Sequence, residues 1–342
     1  MQKLLHCKNV LVLGSGSWGT AFALHLARLN YNVSLWGHPV TDLYAMQADR
    51  LNEKYLPGIP FPDNLHVVTN LEQAVRSCDL LFCMVPSFAF VNLLNDLAGI
   101  YPNDLPFVWG SKGIIHADSN FVFLDQKVDE ILGPNIQKAV VSGPTFACEV
   151  ASMQPTAAVV ASKDKKLATQ LQLILHSDNF RIYTSSDVRG VQVCSAIKNV
   201  IAIAAGVSDG LKMGDNARSA LITRGLVEMS RIGTKVGCKQ DTLMGLAGMG
   251  DLILTCTSDK SRNRRLGLAL GEGLDLEQAK DKIGQVVEGY HNAMTILKFA
   301  KTNNLELPIT AQVCSLLNNE VSPKEAVQNL LNRAPRAEYS LI

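Results

Sequence analysis

Lys198 is the single charged residue between Gln192 and Val207, in a run that includes Ile197, Val200, Ile201 and Ile203. A helix apolar on all sides is normally buried. Burying an ammonium is costly and lowers its pKa unless a partner compensates. Such a lysine suits proton transfer beside a carbonyl; the plain alternative is a side chain that snorkels to the surface. Further along, Ser261-Arg262-Asn263-Arg264-Arg265 strings a hydroxyl, a guanidinium and an amide together. That set suits a phosphate ester, with arginine as the bidentate contact, or is a solvated basic turn. Asp251 closes the glycine-rich Gly245-Leu-Ala-Gly-Met-Gly-Asp251. It can orient a basic group, bind a hydroxyl or cap the following helix.

Gly14-Ser15-Gly16-Ser17-Trp18-Gly19 carries glycine at the spacing G-x-G-x-x-G. It lies between an apolar run, residues 9–13, and an apolar-periodic segment, residues 20–30. In that context Gly14 permits a tight turn, Gly16 lets backbone approach a pyrophosphate, and Gly19 lets the helix pack closely. The helix N-terminus presents unpaired N–H groups to the anion, with Ser17 and Trp18 lining the approach. An ordinary glycine turn is the alternative. The second strand, residues 32–36, ends in Trp36-Gly37-His38-Pro39, without the acid that an NAD-selective site uses for the ribose 2′-hydroxyl. His38 can donate to a 2′-phosphate, or is simply a surface histidine. The cofactor reading therefore leans to NADP(H), with NAD(H) open. Two more turns follow strand-like runs: Gly110-Ser111-Lys112-Gly113 and Gly143-Pro144-Thr145-Phe146-Ala147. Both have the address at which open parallel sheets bind ligands, the carboxyl ends of strands. A solvated loop lysine and a plain strand–helix turn are their alternatives.

These residues need elements to hold them. Short apolar runs at 9–13, 32–36, 79–85, 106–109, 139–141 and 157–161 alternate with helical segments. The pattern predicts a Rossmann-type, mostly parallel sheet with helices on both faces. Beyond residue 187 nearly everything reads as helix, at 191–207, 216–233, 264–270 and 290–301. The expected organisation is a dinucleotide-binding α/β domain over 1–187, an all-α substrate and catalytic domain over 188–335, and a polar tail over 336–342.

Composition narrows the function further. The 342 residues are enough for two domains, and a net charge of +1 argues against a nucleic-acid binder or a polybasic membrane-surface protein. The longest apolar stretch, residues 200–207, is too short to span a bilayer, and residues 1–10 show no export signature. None of the eight cysteines forms a C-x-x-C pair, so no metal site is expected, and free thiols in a reducing cytoplasm are. There is no Tyr-x-x-x-Lys pair, G-x-S-x-G elbow or H-E-x-x-H motif.

Taken in order, residues 12–20, 141–150, 196–228 and 245–265 resemble the NAD(P)-dependent sn-glycerol-3-phosphate dehydrogenases, particularly the bacterial type. The third stretch contains Lys-Asn-Val-Ile-Ala-Ile-Ala-Ala-Gly and Gly-Asp-Asn-Ala-Arg-Ser-Ala-Leu-Ile-Thr-Arg-Gly. The resemblance covers nearly the whole chain. It implies reversible reduction of dihydroxyacetone phosphate to sn-glycerol 3-phosphate, a glycerophospholipid precursor, by a cytoplasmic homodimer. It implies Lys198 as general acid/base and Lys112, Gly143, Thr145, Lys198, Asp251, Ser261, Arg262 and Asn263 as substrate contacts. Cofactor contacts implied are Lys112, Ala147, Arg262, Val286 and Glu288, beside Gly14, Gly16, Ser17, Trp18, Gly19 and His38 as read from the turns above; His38 lies where family members vary, so the coenzyme stays open. Asn199 and Thr255 fall in matching motifs as weaker candidates. Two rival readings are a β-hydroxy-acid dehydrogenase of similar build and a non-catalytic NADP(H)-binding redox sensor.

Overall fold

The apolar runs of the first half become strands that are nearly continuous in burial, as a sheet covered on both faces requires. Asn9–Leu13 (β1), Asn32–Trp36 (β2), Leu65–Val68 (β3), Leu80–Cys83 (β4), Phe107–Trp109 (β5), Lys138–Ser142 (β6), Thr156–Ala161 (β7) and Phe180–Ser185 (β8) form one sheet in the order 8-7-6-5-4-1-2-3. Every neighbouring pair is parallel except β6 and β7. β1 lies between β2 and β4, with Leu13 opposite both Trp36 and Cys83. The strand order reverses there, the place where such sheets leave a crevice at their carboxyl edge. The computed structural model describes residues 4–38, 43–117, 120–335 and 337–338.

Two of the eight strands, β3 and β8, escape the sequence pattern. They are the outer strands of the sheet, and β8 alternates buried and exposed residues along its first half. Half-exposed edges carry a weaker apolar signal than buried centres. Ser17–Arg28 (α1) packs on the sheet through Phe22, which meets Phe82 edge-on at 4.9 Å.

The chain divides into two compact units, Met1–Lys112 with Leu124–Val188, and Gly113–Phe123 with Arg189–Ile342. The strip Gly113–Phe123 thus belongs with the second unit, although the sequence places it inside the first domain. Its Ile114 and Phe123 join the apolar cluster of the second unit, and Arg189 lies over the Phe123 ring. Of the tail over 336–342, only Ala337 and Glu338 fall among the described residues.

The second unit is built around Val188–Gly210 (α2). This helix is long and apolar enough to cross a membrane, which the short apolar stretch in the sequence conceals, yet its most apolar window is completely buried in protein. Around it lie Asp215–Val236 (α3), Asp251–Thr257 (α4), Arg262–Gly271 (α5), Glu288–Thr302 (α6) and Pro308–Leu317 (α7). α2 and α5 meet backbone to backbone. A Cβ on Gly206 would lie 2.0 Å from the Arg264 carbonyl oxygen, and one on Gly210 would lie 2.4 Å from that of Leu268. From the other side, Gly267 and Gly271 face the Ile203 and Val207 oxygens at 2.0 and 2.5 Å. Each helix brings two glycines four residues apart to the same face. Arg264 reinforces this seam: it is buried and donates through Nε and Nη2 to Asp209 Oδ2 at 2.9 and 2.6 Å.

Candidate active site

In the first unit, the three glycines of the loop after β1 occupy three different environments. Gly14 has φ +114°, and a Cβ there would lie 2.8 Å from the Met84 carbonyl carbon. A Cβ on Gly19 would lie 1.8 Å from the Gly14 oxygen. One on Gly16 would meet nothing within 4 Å. The first and third glycines are therefore demanded by the protein's own packing, whereas the second leaves space open. Gly16 is the N-cap of α1, and no side chain caps that end. The indole Nε1 of Trp18 is buried without a hydrogen-bond partner, beside Gly110. An uncapped helix start, an open glycine and an unpaired donor fit an anionic dinucleotide. His38 is exposed just beyond β2, and Pro39 lies outside the described residues.

Asn52, which the sequence reading passes over, is buried against this loop. Its Nδ2 donates to the Ser15 carbonyl and to Thr20 Oγ1, both at 2.8 Å. Nearby in the same unit, Lys112, Gly143 and Thr145 come together at the ends of β5 and β6. Lys112 Nζ and Thr145 Oγ1 both donate to the Gly143 carbonyl, at 3.4 and 3.2 Å. Gly143 has φ +147° and leaves only 3.0 Å between a Cβ and the Ala158 Cα, so glycine is required there. Ala147 opens the short helix Ala147–Ala151.

In the second unit, Lys198 does not snorkel. It is 4 % exposed, and its Nζ lies 2.8 Å from Asp251 Oδ1 and 3.0 Å from Thr255 Oγ1. Thr255 Oγ1 in turn donates to the Asp251 carbonyl at 2.5 Å. Asp251 is the first residue of α4, and its side chain serves the lysine rather than capping. The turn before it, residues 246–250, is tight because a Cβ on Gly248 would strike the Leu243 oxygen at 2.1 Å. The constellation is an ammonium held by a carboxylate and a hydroxyl away from bulk water. Cys256, next to it, is inert by comparison: burial pushes its thiol up to about 12.

Asn199, Asn263 and Gly289 form a second chain of contacts. Asn263 Nδ2 donates to Asn199 Oδ1 at 2.9 Å, and the Gly289 N–H donates to Asn263 Oδ1 at 2.9 Å. The amide senses of both asparagines are thereby fixed. Ser261 caps α5, its hydroxyl accepting from the Arg264 N–H at 3.2 Å. Arg262 is half-buried and has no hydrogen-bond or ion-pair partner among the described residues. Arg264, by contrast, is consumed by Asp209 and Asp259. The basic run thus divides between a structural arginine and an available one, which spacing does not reveal. Val286 is exposed, and Glu288 is the first residue of α6. Among the described residues no group of three or more His, Cys, Asp or Glu side chains is placed to hold a metal.

Comparison with known proteins covers nearly the whole chain. Residues 9–168 match the model of the NAD-dependent glycerol-3-phosphate dehydrogenase N-terminus, and residues 187–328 match that of its C-terminus. A glycerol-3-phosphate dehydrogenase [NAD(P)+] from Legionella pneumophila is 46 % identical over 97 % of this chain and 99 % of its own. One from Pectobacterium carotovorum is 47 % identical over 96 % and 97 %. The crystal structure of glycerol-3-phosphate dehydrogenase from Coxiella burnetii superposes with a TM-score of 0.92 at 44 % identity, covering 95 % of this chain and 99 % of that one. With both family models matched in order and relatives this similar at full length, the chain belongs to the NAD-dependent glycerol-3-phosphate dehydrogenase family.

Proposed function

We propose that this chain reduces dihydroxyacetone phosphate reversibly to sn-glycerol 3-phosphate with NAD(P)H, using Lys198 as general acid/base. The chain is an oxidoreductase of its family, and the product is a glycerophospholipid precursor. The observation that carries the catalytic assignment is the buried Lys198–Asp251–Thr255 constellation. The bound nicotinamide supplies the hydride.

The protein's part is electrostatic and protic. Asp251 keeps the Lys198 ammonium charged in a dry site, and Thr255 fixes a second of its N–H directions. The ammonium stabilises negative charge developing on the substrate oxygen and hands its proton to the alkoxide. In the reverse direction the neutral amine takes that proton back. Arg262, whose side chain has no hydrogen-bond or ion-pair partner among the described residues, holds the phosphate with Asn263, whose amide sense is set by its neighbours. Ser261 starts the helix that carries both. Lys112, Gly143 and Thr145 contact substrate, and Lys112 also borders the nicotinamide. The dinucleotide is held by Gly14, Gly16, Ser17, Trp18 and Gly19, with Ala147, Arg262, Val286 and Glu288 as further contacts. His38, in place of an acid, supports the preference for NADP(H). The same reading makes the enzyme a cytoplasmic homodimer, in which the eight cysteines stay reduced.

One assay tests this reading: oxidation of NADPH and NADH with dihydroxyacetone phosphate, with unphosphorylated dihydroxyacetone and with β-keto acids. Turnover confined to the phosphorylated ketone is expected; a β-keto acid as the better substrate would overturn the reading. Lys198→Ala is expected to lower kcat by about 10²–10⁴-fold with NADPH affinity kept. Arg262→Ala is expected to raise the KM for dihydroxyacetone phosphate, and an unchanged KM removes its phosphate role.

A further inference from the structure

The segment between β2 and β3 holds a buried amide, Asn52, at the end of a small hairpin formed by Leu51–Asn52 and Leu56–Pro60. The hairpin is fastened from outside. The Arg50 guanidinium donates to the carbonyls of Leu65, Pro62 and Phe61 at 3.0, 2.6 and 3.3 Å. Asn52 Oδ1 accepts from the Tyr55 N–H at 3.2 Å, so the other end of the amide is the donor end. That end points at the glycine loop, where Nδ2 reaches the Ser15 carbonyl and Thr20 Oγ1. Thr20 Oγ1 also donates to the Ser15 carbonyl at 3.3 Å.

We propose that Asn52 is a positioning residue for the cofactor's pyrophosphate, acting through the peptide plane between Ser15 and Gly16. The inference rests on the reading of Gly14–Gly19 as the pyrophosphate loop. A trans peptide is planar, with its C=O and N–H opposed. Holding the Ser15 oxygen inward against Asn52 therefore turns the Gly16 N–H outward, toward the uncapped start of α1. Next to a glycine the plane rotates easily. A released plane can present the carbonyl oxygen to the phosphates and replace attraction by repulsion. Asn52 thus sets the sign of the dipole that the loop shows to an anion, without touching the anion itself.

The test uses the full-length enzyme with Asn52→Ala and Asn52→Asp. The aspartate keeps shape and the acceptor for Tyr55 but has no donor for Ser15 or Thr20. NADPH dissociation constants are read from nicotinamide fluorescence, beside competition by ADP and by adenosine 2′-monophosphate, which lacks a pyrophosphate. Both variants are expected to bind NADPH and ADP about tenfold more weakly, the scale of one lost hydrogen bond. Adenosine 2′-monophosphate affinity is expected to stay within about twofold. At saturating NADPH, kcat and the KM for dihydroxyacetone phosphate are expected to stay within about twofold as well. Wild-type affinity in Asn52→Asp beside weakened Asn52→Ala means that only the Tyr55 turn matters, and overturns the proposal. Parallel loss of adenosine 2′-monophosphate means a collapsed domain and overturns it too. A wild-type enzyme that binds NADPH but does not bind ADP refutes the loop reading itself, and the proposal falls with it.

Discussion

Removing one charge from the Lys198–Asp251 pair separates its structural role from its chemical one. The two groups lie 2.8 Å apart, with side chains 5 % and 2 % exposed. At an effective dielectric constant near 20 their attraction is about 6 kcal/mol. Desolvation of both ions offsets most of this, so the pair adds little net stability, but an orphaned partner is a buried, uncompensated charge. Asp251→Asn keeps the volume and an acceptor oxygen and removes only the charge. A loss of about 3–5 kcal/mol in urea unfolding is expected. For a unit of this size that corresponds to a fall in Tm of roughly 6–20 °C. Lys198→Met is expected to lose a similar amount, now from the stranded carboxylate. The double variant Lys198→Met with Asp251→Leu is expected within about 1–2 kcal/mol of wild type, because an apolar pair of similar volume replaces the ions. Both variants that lack Lys198 are expected to be inactive whatever their stability. An Asp251→Asn protein within about 1 kcal/mol of wild type, or a double variant that simply adds the two losses, would refute this reasoning.

Gly16→Ala meets open space at φ −71°, so unfolding is expected to change by less than about 1 kcal/mol while NADPH affinity falls; Gly19→Ala, facing the Gly14 oxygen, is expected to lose both stability and binding. Fluorescence titration and thermal melts distinguish the two. Burial raises the carboxyl of Glu228 from 4.5 to about 7, against the hydrogen bonds it accepts from Thr310 and Ile309 at the start of α7. Between those two values the folded state binds more protons than the unfolded one, so this contribution to stability is full below pH 4.5 and fades as pH rises through 7. Urea unfolding of wild type and Glu228→Gln at pH 5 and pH 8 is expected to differ in pH response by about 3 kcal/mol, and parallel profiles would contradict this. His38→Asp is expected to shift the kcat/KM ratio toward NADH, as a carboxylate repels a 2′-phosphate; an unchanged ratio removes His38 from cofactor choice.

Much of the candidate site is legible in the sequence because its chemistry violates its surroundings. Lys198 stands out as a charge in an apolar helix, and the glycine loop stands out between a strand and a helix. What spacing could not show is pairing at long sequence separation. Spacing leaves three roles open for Asp251, and the ion pair with Lys198 selects one; Arg262 and Arg264 are alike in sequence, and Asp209 takes only the second. Asn52 sits in Leu51-Asn52-Glu53-Lys54, where an asparagine reads as a turn; its burial comes from the packing of the hairpin across the loop. Sequence proximity puts Gly113–Phe123 in the first domain, because nothing local marks it as part of the second unit. Ile114 and Phe123 declare their allegiance only through the core they enter.

The glycine seam between α2 and α5 has a consequence for how this enzyme can change. Asn199 and Asn263 sit on those two helices and touch across the seam. With backbone against backbone there is no side chain to trim, swap or repack, so the usual route of compensating one core substitution by another is closed. Gly206, Gly210, Gly267 and Gly271 form a block in which each position admits one residue while the other three stand. Any added methyl forces the helices apart and carries Asn263 away from Asn199. On the proposed function, substrate range can therefore drift through the half-buried Arg262, but the spacing between the lysine-bearing helix and α5 is frozen. A library that varies these four glycines should return almost no active clones.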